Sequence, residues 1–287
     1  MELSAPRGFD LWRRLRHEPT AAFGLAILLI FIPLALCAPL ISPYDPLFQN
    51  ISASLTPPSA DYWLGTDKLG RDLLSRMLYG ARISLFVALV STVLSKIVGL
   101  AWGILTGYLG RSFDLISQRV IDVLLAFPGI ILAMLLLSAL GGGLGTVITA
   151  ITLLGVAGTV RVIRSVVLSV KEMTYVEAAR AVGVSDARIM ARHVAPQCIA
   201  PLLVLFSASL GGAIFAEAAL SFLGLGIPQP APSWGNMLGG ILANQFRPEW
   251  WLVIFPGVAI TITVLAFNLV GDALRDYLDP KIGERLP

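Results

Sequence analysis

Six long runs of apolar residues, separated by shorter polar segments, dominate the hydropathy pattern of the chain. Each run is long enough to cross a hydrocarbon core of about 30 Å as an α-helix, which needs about 20 residues. A helix satisfies its own backbone hydrogen bonds in lipid, so helices are expected here. The pattern predicts an all-α integral membrane protein with six transmembrane helices. The runs cover residues 21–40, 83–105, 120–140, 144–163, 199–220 and 251–270.

The composition agrees with a surface that meets lipid. Hydrophobic residues make up 56% of the 287 residues and charged residues only 14%, whereas soluble domains are about a quarter charged. The net charge of +3 comes from scattered basic residues, which indicates loop topology rather than nucleic-acid binding. Cys37 and Cys198 lie in or beside apolar runs without metal-ligand spacing, so we expect neither a disulfide framework nor a metal site.

The basic residues favour one orientation in the membrane. With the N-terminus in the cytoplasm, the predicted inner segments hold 15 of the 21 Lys and Arg residues and the outer segments hold five. Cytoplasmic loops are enriched in Lys and Arg, so both termini are expected in the cytoplasm. The first run is too long for a signal peptide and should be a permanent anchor. Trp12, Trp234, Trp250 and Trp251 are expected to anchor helix ends at the membrane surfaces.

The outer loop between the first two runs ends in a short amphipathic pattern. Leu69, Leu73 and Met77 recur four residues apart, with charged residues on the other face. This spacing predicts a short helix that lies on the membrane and leads into the second span. Asp72 and Arg76 are spaced for an ion pair between residues i and i+4.

One polar segment, residues 165–198, interrupts the apolar pattern on the predicted cytoplasmic side. Thr174 and Glu177 have the spacing of a capping box, which predicts a helix start. Gly183 can take the left-handed conformation that ends this helix, and Ser185 can cap a second one. Pro196 is expected to break the second helix before the fifth span. The prediction is two short helices at an angle, exposed to the cytoplasm.

Ionisable residues inside the predicted spans are functional candidates, because a charge is costly in lipid. Lys96 and Asp122 lie in the same half of the membrane and could pair across helices. Arg161 lies at the inner end of its span and is expected to extend to the surface. Glu217 lies near the outer mouth of the fifth span, where an interhelical or outer-gate contact and simple interfacial exposure remain equal alternatives.

Glycine and proline positions predict how the helices pack and bend. Gly99, Gly103 and Gly107 form a ladder on the second span that lets another helix approach closely. Gly211 and Gly212 are expected to interrupt the fifth span. Kinks are predicted at three prolines. These are Pro33, Pro128 and Pro256.

Four separate stretches resemble one family of transport proteins. The run EAARAVGVSDARIMARHVAP resembles the EAA loop of binding-protein-dependent ABC importer permeases. Three further stretches resemble the C-type permease subunit of dipeptide, oligopeptide and nickel importers. They read LGTDKLGRDLLSRMLYGARISL, IDVLLAFPGIILA and EAALSFLGLGIPQPAPSWGNML, in the family's order, and the resemblance covers nearly the whole chain.

The resemblance implies the type I ABC importer permease fold, similar to MetI. A homologous B-type permease would pair with this chain, one or two cytoplasmic ABC ATPases would bind it, and an extracytoplasmic solute-binding protein would deliver the cargo. The EAA loop would form a coupling helix that docks on the ATPase. Carried over by motif, the coupling positions are Glu177, Ala178, Ala179 and Gly183; the same segment adds Arg180 and Ser185.

The chain lacks the motifs of an ATPase. A phosphate-binding loop needs a Gly-Lys pair, and all four lysines follow other residues. ATP and Mg²⁺ are therefore expected in partner chains, and this chain is predicted to be a non-enzymatic transport subunit with no cofactor of its own. The alternative is an ion-driven secondary transporter, but no repeat relates the two halves.

The predicted organisation has three parts in the cytoplasmic membrane of a prokaryote. Residues 1–82 form the tail, the first helix and the outer loop; residues 83–272 form a five-helix core; residues 273–287 form a cytoplasmic tail. The cargo would be a dipeptide, an oligopeptide or a related solute such as a nickel chelate or glutathione.

Overall fold

A computed structural model describes residues 19–242 and 248–278, and these residues form helices joined by loops. Trp12 and the outermost parts of both predicted tails lie outside the described residues. The helices, in chain order, are α1 Pro19–Leu36, α2 Ala38–Ile41, α3 Leu73–Leu109, α4 Arg111–Ala126, α5 Gly129–Leu140, α6 Leu144–Val170, α7 Thr174–Ala181, α8 Asp186–Ile189, α9 Ala195–Phe222, α10 Trp234–Leu242 and α11 Trp250–Leu278.

Five of the predicted spans are helices long and apolar enough to cross a membrane, and the remaining one is broken. The third run consists of α4 and α5, which meet at an angle of 93°. The chain leaves α4 through Phe127, whose backbone is extended, and Pro128 then precedes α5. A proline disfavours helical geometry at the residue before it, so the predicted kink at Pro128 is a full break. By contrast, Pro33 and Pro256 lie inside helices that continue past them.

The glycine ladder packs α3 directly against α6, as predicted. A Cβ atom built on Gly99 would lie 2.6 Å from Thr159, and one on Gly103 or Gly107 would lie 2.8 Å from Ile163 or Val167, respectively. No real Cβ contact is that short, so only glycine allows this approach. The contact residues increase in residue number in the same order along both helices, so α3 and α6 run in the same direction.

The fifth span is longer and more continuous than predicted. A π-helical turn, Met190–Val194, joins α8 to α9, so the helical path runs from Asp186 to Phe222. Pro196 therefore does not break it. In the π turn the amide of Ala195 donates to Met190, five residues back, and this wider turn admits the proline ring just after it. Gly211 and Gly212 do not interrupt the helix either; Gly211 packs against Asn268 of α11.

The outer loop folds over the outer ends of the helices instead of forming a surface helix. α3 begins at Leu73 and runs directly into the second span, so the boundary predicted between residues 82 and 83 falls inside a helix. The boundary predicted at residues 272–273 falls inside α11 in the same way. The residues before Leu73 form a turn closed by a bridge between Thr66 and Asp72.

The predicted ion pair between Asp72 and Arg76 is wrong. Asp72 is the N-cap of α3, and its carboxylate accepts from the amide and the hydroxyl of Ser75 at 2.8 and 2.6 Å. Arg76 faces Asp67 instead, with its Nε 3.6 Å from a carboxylate oxygen, and Arg71 lies 2.6 Å from the same oxygen. Because the Asp72 carboxylate is used for the helix cap, Arg76 pairs with Asp67 in the preceding turn instead.

Two of the predicted interfacial tryptophans are instead buried in the protein. Trp234 is 1% exposed and donates to the carbonyl of Met77 on α3. Trp251 is 5% exposed and donates to the carbonyl of Thr66 in the outer loop. Trp250 remains 57% exposed, as an interfacial anchor would be. The two buried indoles fasten α10 to α3 and α11 to the outer loop.

Candidate coupling segment and polar contacts within the membrane

The candidate coupling segment, residues 174–189, starts with a helix that lacks the predicted capping box. α7 begins at Thr174 itself, and its N-cap is Met173, which makes no side-chain cap bond. The amide of Glu177 bonds the carbonyl of Met173, so Thr174 already lies inside the first turn. The Thr174 hydroxyl therefore lies one residue after the N-cap position and cannot cap the helix. The Glu177 carboxylate still favours this end of the helix through the macrodipole.

The end of α7 agrees with the prediction. Gly183 has a φ of +79°, which is the left-handed conformation. Its amide bonds the carbonyl of Arg180, and the amide of Val184 bonds that of Ala179. Together these two bonds form a Schellman motif, which satisfies carbonyls that the helix end leaves free. Ser185 occupies the N-cap position of α8, although its side chain makes no cap bond.

The two faces of α7 have different surroundings. Val176 and Ala179 are buried and belong to an apolar cluster that contains Ile163 and Val167 of α6 and Ile189 of α8. Glu177, Ala178 and Arg180 are exposed. Of the two small residues in the motif, Ala179 therefore fixes the helix to the membrane domain, while Ala178 faces outward with Glu177.

Tyr108, at the inner end of α3, joins both halves of the candidate coupling segment. Its hydroxyl donates to the Asp186 carboxylate of α8 at 2.7 Å, and the Arg180 guanidinium lies 5.5 Å from the centre of its ring. A cation at this distance from an aromatic face is attracted to it. Sequence reasoning missed Tyr108, because its partner Asp186 lies 78 residues away and no local pattern marks the pair.

The predicted pairing of Lys96 with Asp122 is wrong. Asp122 on α4 instead accepts from Arg161 on α6 at 2.6 Å, and this ion pair is about half exposed. Arg161 does not simply extend to the surface, because α4 brings a carboxylate within its reach. Lys96 on α3 contacts α6 instead, where its ammonium donates to the hydroxyl of Thr159 at 3.0 Å.

Glu217 makes an interhelical contact and is not exposed at the membrane surface. Its side chain on α9 is fully buried. The Ser84 hydroxyl of α3 donates to one carboxylate oxygen at 2.7 Å, and Ser221, one turn further along α9, donates to the other at 2.8 Å. Helices α3 and α9 thus meet at one carboxyl group, in the N-terminal half of α3 and near the C-terminal end of α9.

We expect Glu217→Gln to lower the stability of the protein by about 1 kcal/mol, because the carboxyl group accepts a hydroxyl on each of its two oxygens and an amide has only one oxygen. The amide retains one acceptor oxygen but directs its NH₂ group at a serine. The thermal unfolding midpoint of the purified protein in detergent measures the effect. Glu172→Gln, at an exposed carboxylate just after α6, is the matched control and should change nothing. Equal midpoints for both variants would contradict the role given to Glu217.

Two family models match the chain. One, described as the inner membrane component of binding-protein-dependent transport systems, matches residues 99–284. The other, described as the N-terminal transmembrane domain of oligopeptide transport permease C, matches residues 8–58.

Curated relatives match almost the entire chain. The dipeptide transport system permease DppC of Bacillus subtilis is 41% identical over 95% of this chain and 85% of its own length. The oligopeptide permease OppC of the same organism is 39% identical over 98% and 93%. The glutathione transport permease GsiD of Pectobacterium atrosepticum is 41% identical over 95% and 91%.

A solved structure shares the fold. It is titled as an inward facing conformation of the MetNI methionine ABC transporter, and the match covers 70% of this chain and 94% of that one, with 20% identity and a TM-score of 0.52. The resemblance seen in the sequence is thus confirmed by family models, by close relatives and by the fold. The chain belongs to the family of binding-protein-dependent transport system inner membrane components, with the N-terminal domain of its oligopeptide permease C branch.

Proposed function

We propose that this chain imports small peptides or a related solute, such as glutathione or a nickel chelate. The chain is a multi-pass permease subunit of an ABC importer, and such subunits are not enzymes. The observation that carries the substrate class is the set of close relatives, whose names specify dipeptides, oligopeptides and glutathione. The cargo shared by these names is a small solute that carries carboxylate groups.

The importer family works with ATPase and solute-binding partners. We propose that this chain pairs with a homologous B-type permease and that the partner ATPases bind ATP and Mg²⁺. In this arrangement both termini of the chain lie in the cytoplasm, and the outer loop faces the solute-binding protein. The distribution of basic residues supports the orientation.

The candidate coupling segment is proposed to dock on the ATPase. Its exposed face offers the small Ala178 between Glu177 and Arg180, and a helix with small side chains can enter a groove of a partner closely. The opposite face of α7 packs against the membrane domain. Because this interior is closely packed, a displacement of α7 moves the helices that it contacts. A rigidly packed helix with an exposed outer face suits this role.

Two polar contacts are proposed to carry the motion across the membrane. Tyr108 and Asp186 join the inner end of α3 to the helical path that leads into α9. Ser84 and Glu217 join the same two helices near their outer ends. Because both helices are continuous between these contacts, a displacement of the coupling segment reaches the outer mouth through rigid elements.

Gly183→Val should reduce the coupling of ATP hydrolysis to transport more than Glu177→Gln does. No atom of the described residues lies within 4 Å of a Cβ built on Gly183, so they leave room for valine, but its backbone would have to hold a φ of +79°. That conformation is strained for a β-branched residue, so the turn opens and the docking surface is lost. Glu177→Gln leaves the turn intact and should reduce transport only several-fold.

The experiment is a mild-detergent purification of the tagged chain from its host, followed by uptake measurements on the reconstituted complex. We expect the wild type to bring down an ATPase and a second permease, and Gly183→Val to lose the ATPase. Equal losses for Gly183→Val and Glu177→Gln would show that the charge of Glu177 is itself required for docking. Recovery of this chain alone, with uptake stopped by an uncoupler and indifferent to ATP, would establish an ion-driven transporter instead.

A further inference from the structure

A cavity of about 230 Å³ lies between α3, α6 and α9. Its lining comes from the middle of each apolar run, so it lies near the middle of the membrane and between the two polar contacts that join α3 to α9. The lining is apolar apart from hydroxyl groups. Those hydroxyls belong to Ser91, Thr92, Ser95 and Ser209.

One of these hydroxyls lacks a partner. Ser91, Ser95 and Ser209 donate to backbone carbonyls of their own helices. The Thr92 side chain is 2% exposed, yet its hydroxyl makes no hydrogen bond to any described residue. A buried polar group without a partner costs free energy, and Thr92 is one of the residues that line the cavity.

A buried cation lies one helical turn from a residue that lines the cavity. Lys96 is one turn beyond Thr92 on α3, toward the cytoplasm, and it is 5% exposed. Its ammonium has three donors, and the bond to Thr159 uses one of them. Among the described residues, no carboxylate lies within 4.0 Å of this ammonium, and Asp122 is paired with Arg161. A cation in this position needs a negative partner.

We propose that the cavity and Lys96 form a subsite for a carboxylate group of the cargo during translocation. This inference rests on the proposed function, because it assigns the subsite to the carboxylate-bearing solutes named there. A carboxylate in the cavity would lie beside the Thr92 side chain and one helical turn from Lys96, so it brings the acceptor and the counter-charge that these two groups lack. The cavity volume suits one end of a peptide rather than an entire long chain.

Such a subsite supplies a temporary interaction rather than tight binding. The counter-charge arrives with the cargo and leaves with it, so Lys96 is unpaired only between transport cycles. Ile151, Leu154 and Ala213 make the rest of the lining apolar. Such a lining discriminates little between the side chains of different peptides. A permease of this kind recognises the group that every peptide shares and leaves selection among peptides to the binding protein.

The test compares two cargos in proteoliposomes that contain the complete transporter and its binding protein. The cargos are one peptide with a free C-terminal carboxylate and the same peptide as the C-terminal amide. The variants are Lys96→Met, which removes the charge and shortens the unbranched side chain by one atom, Lys96→Arg, which keeps the charge, and Thr92→Val, which removes the hydroxyl at nearly constant volume. For each peptide, uptake by a variant is divided by uptake by the wild type, which cancels any preference of the binding protein.

Lys96→Met should lower uptake of the free peptide about tenfold or more, the effect of losing a hydrogen bond to a charged group, and change uptake of the amide less than twofold. Lys96→Arg should restore most of the loss. Thr92→Val should lower uptake of the free peptide several-fold and spare the amide. ATP hydrolysis without cargo and the subunit content of the purified complex should stay at the level of the wild type.

An equal loss for both peptides in Lys96→Met and Thr92→Val would overturn the subsite, because a structural role does not distinguish a carboxylate from an amide. Loss of the second permease from the Lys96→Met complex would also overturn it, since the counter-charge would then come from that subunit. If the wild type imports neither peptide, the proposed function fails and the inference falls with it. These outcomes separate the two claims.

Discussion

Asp67→Ala is expected to destabilise the protein by about 3–5 kcal/mol, because it leaves two buried arginines without their counter-charge. Asp67 is 7% exposed, and Arg71 and Arg76 are 5% and 2% exposed. One carboxylate oxygen lies 2.6 Å from the Nε of Arg71 and 3.6 Å from the Nε of Arg76. The other oxygen accepts from the amides of Leu69 and Arg71, so the carboxylate also shapes the turn.

The loss of stability in Asp67→Ala should also involve contacts beyond the two ion pairs. The Nη1 of Arg76 also donates to the carbonyl of Pro46, so this arginine ties the start of the outer loop to α3. Trp251 of α11 packs beside the same turn through its bond to Thr66. When Asp67 is removed, the turn, the loop and α11 should loosen together. The thermal unfolding midpoint in detergent and protease sensitivity of the outer loop measure this.

Asp61→Ala is the matched control for this prediction. Asp61 lies in the same outer loop but is exposed, and among the described residues only its backbone carbonyl takes part in a hydrogen bond, from Tyr44. The variant should unfold at the temperature of the wild type. If Asp67→Ala did the same, the buried cluster would contribute nothing to stability and its arginines would have other partners.

The features predicted well from the sequence depend on a single element or on a strong local requirement. Gly183 was found because helix ends select glycine for the left-handed conformation. The ladder of Gly99, Gly103 and Gly107 was found because small residues four apart mark a close helix contact. The number of apolar runs follows from hydropathy alone, and only the break at Pro128 changes how the third run crosses the membrane.

The features that were missed depend on residues far apart in the chain or on a shift of one position. Ser84 and Glu217 are 133 residues apart, and hydropathy cannot reveal that two helices bring them together. The capping box failed because α7 begins one residue earlier than its pattern indicates, and a cap tolerates no such shift. Pro196 was expected to break a helix because an α-helix was assumed, whereas a π turn accommodates it.

The arrangement of α3 and α9 relates these separate findings to one another. Contacts at Tyr108 and Ser84 fix the two ends of α3 to the path of α9, and the cavity lies between them. α6 closes the third side through the glycine ladder. Any change in the spacing of α3 and α6 therefore alters the cavity and the position of Lys96 at the same time. The glycine ladder is thus a requirement for the subsite as well as for the fold.

Gly103→Leu should be among the most damaging single changes in the membrane region. A Cβ at residue 103 would lie 2.8 Å from the Cβ of Ile163 and 3.1 Å from the carbonyl of Val160, and both are held in the packed interior of α6. Forcing extra atoms into a packed core costs about 1–3 kcal/mol and sometimes more. Leucine has a higher helix propensity than glycine, by about 1 kcal/mol or somewhat less. Any loss of stability in this variant must therefore come from packing.

The control for this change is Gly158→Leu on α6. Gly158 is exposed, and no atom lies within 4 Å of a Cβ built there, so leucine adds the same side chain without a clash inside the chain. Gly103→Leu should lower the thermal midpoint of the purified protein by several degrees or abolish recovery of monodisperse protein, while Gly158→Leu should do neither. Similar behaviour of the two variants would mean that α3 and α6 are not in direct contact at Gly103. The cavity between α3, α6 and α9 would then have a different shape, and Lys96 would not be held against Thr159.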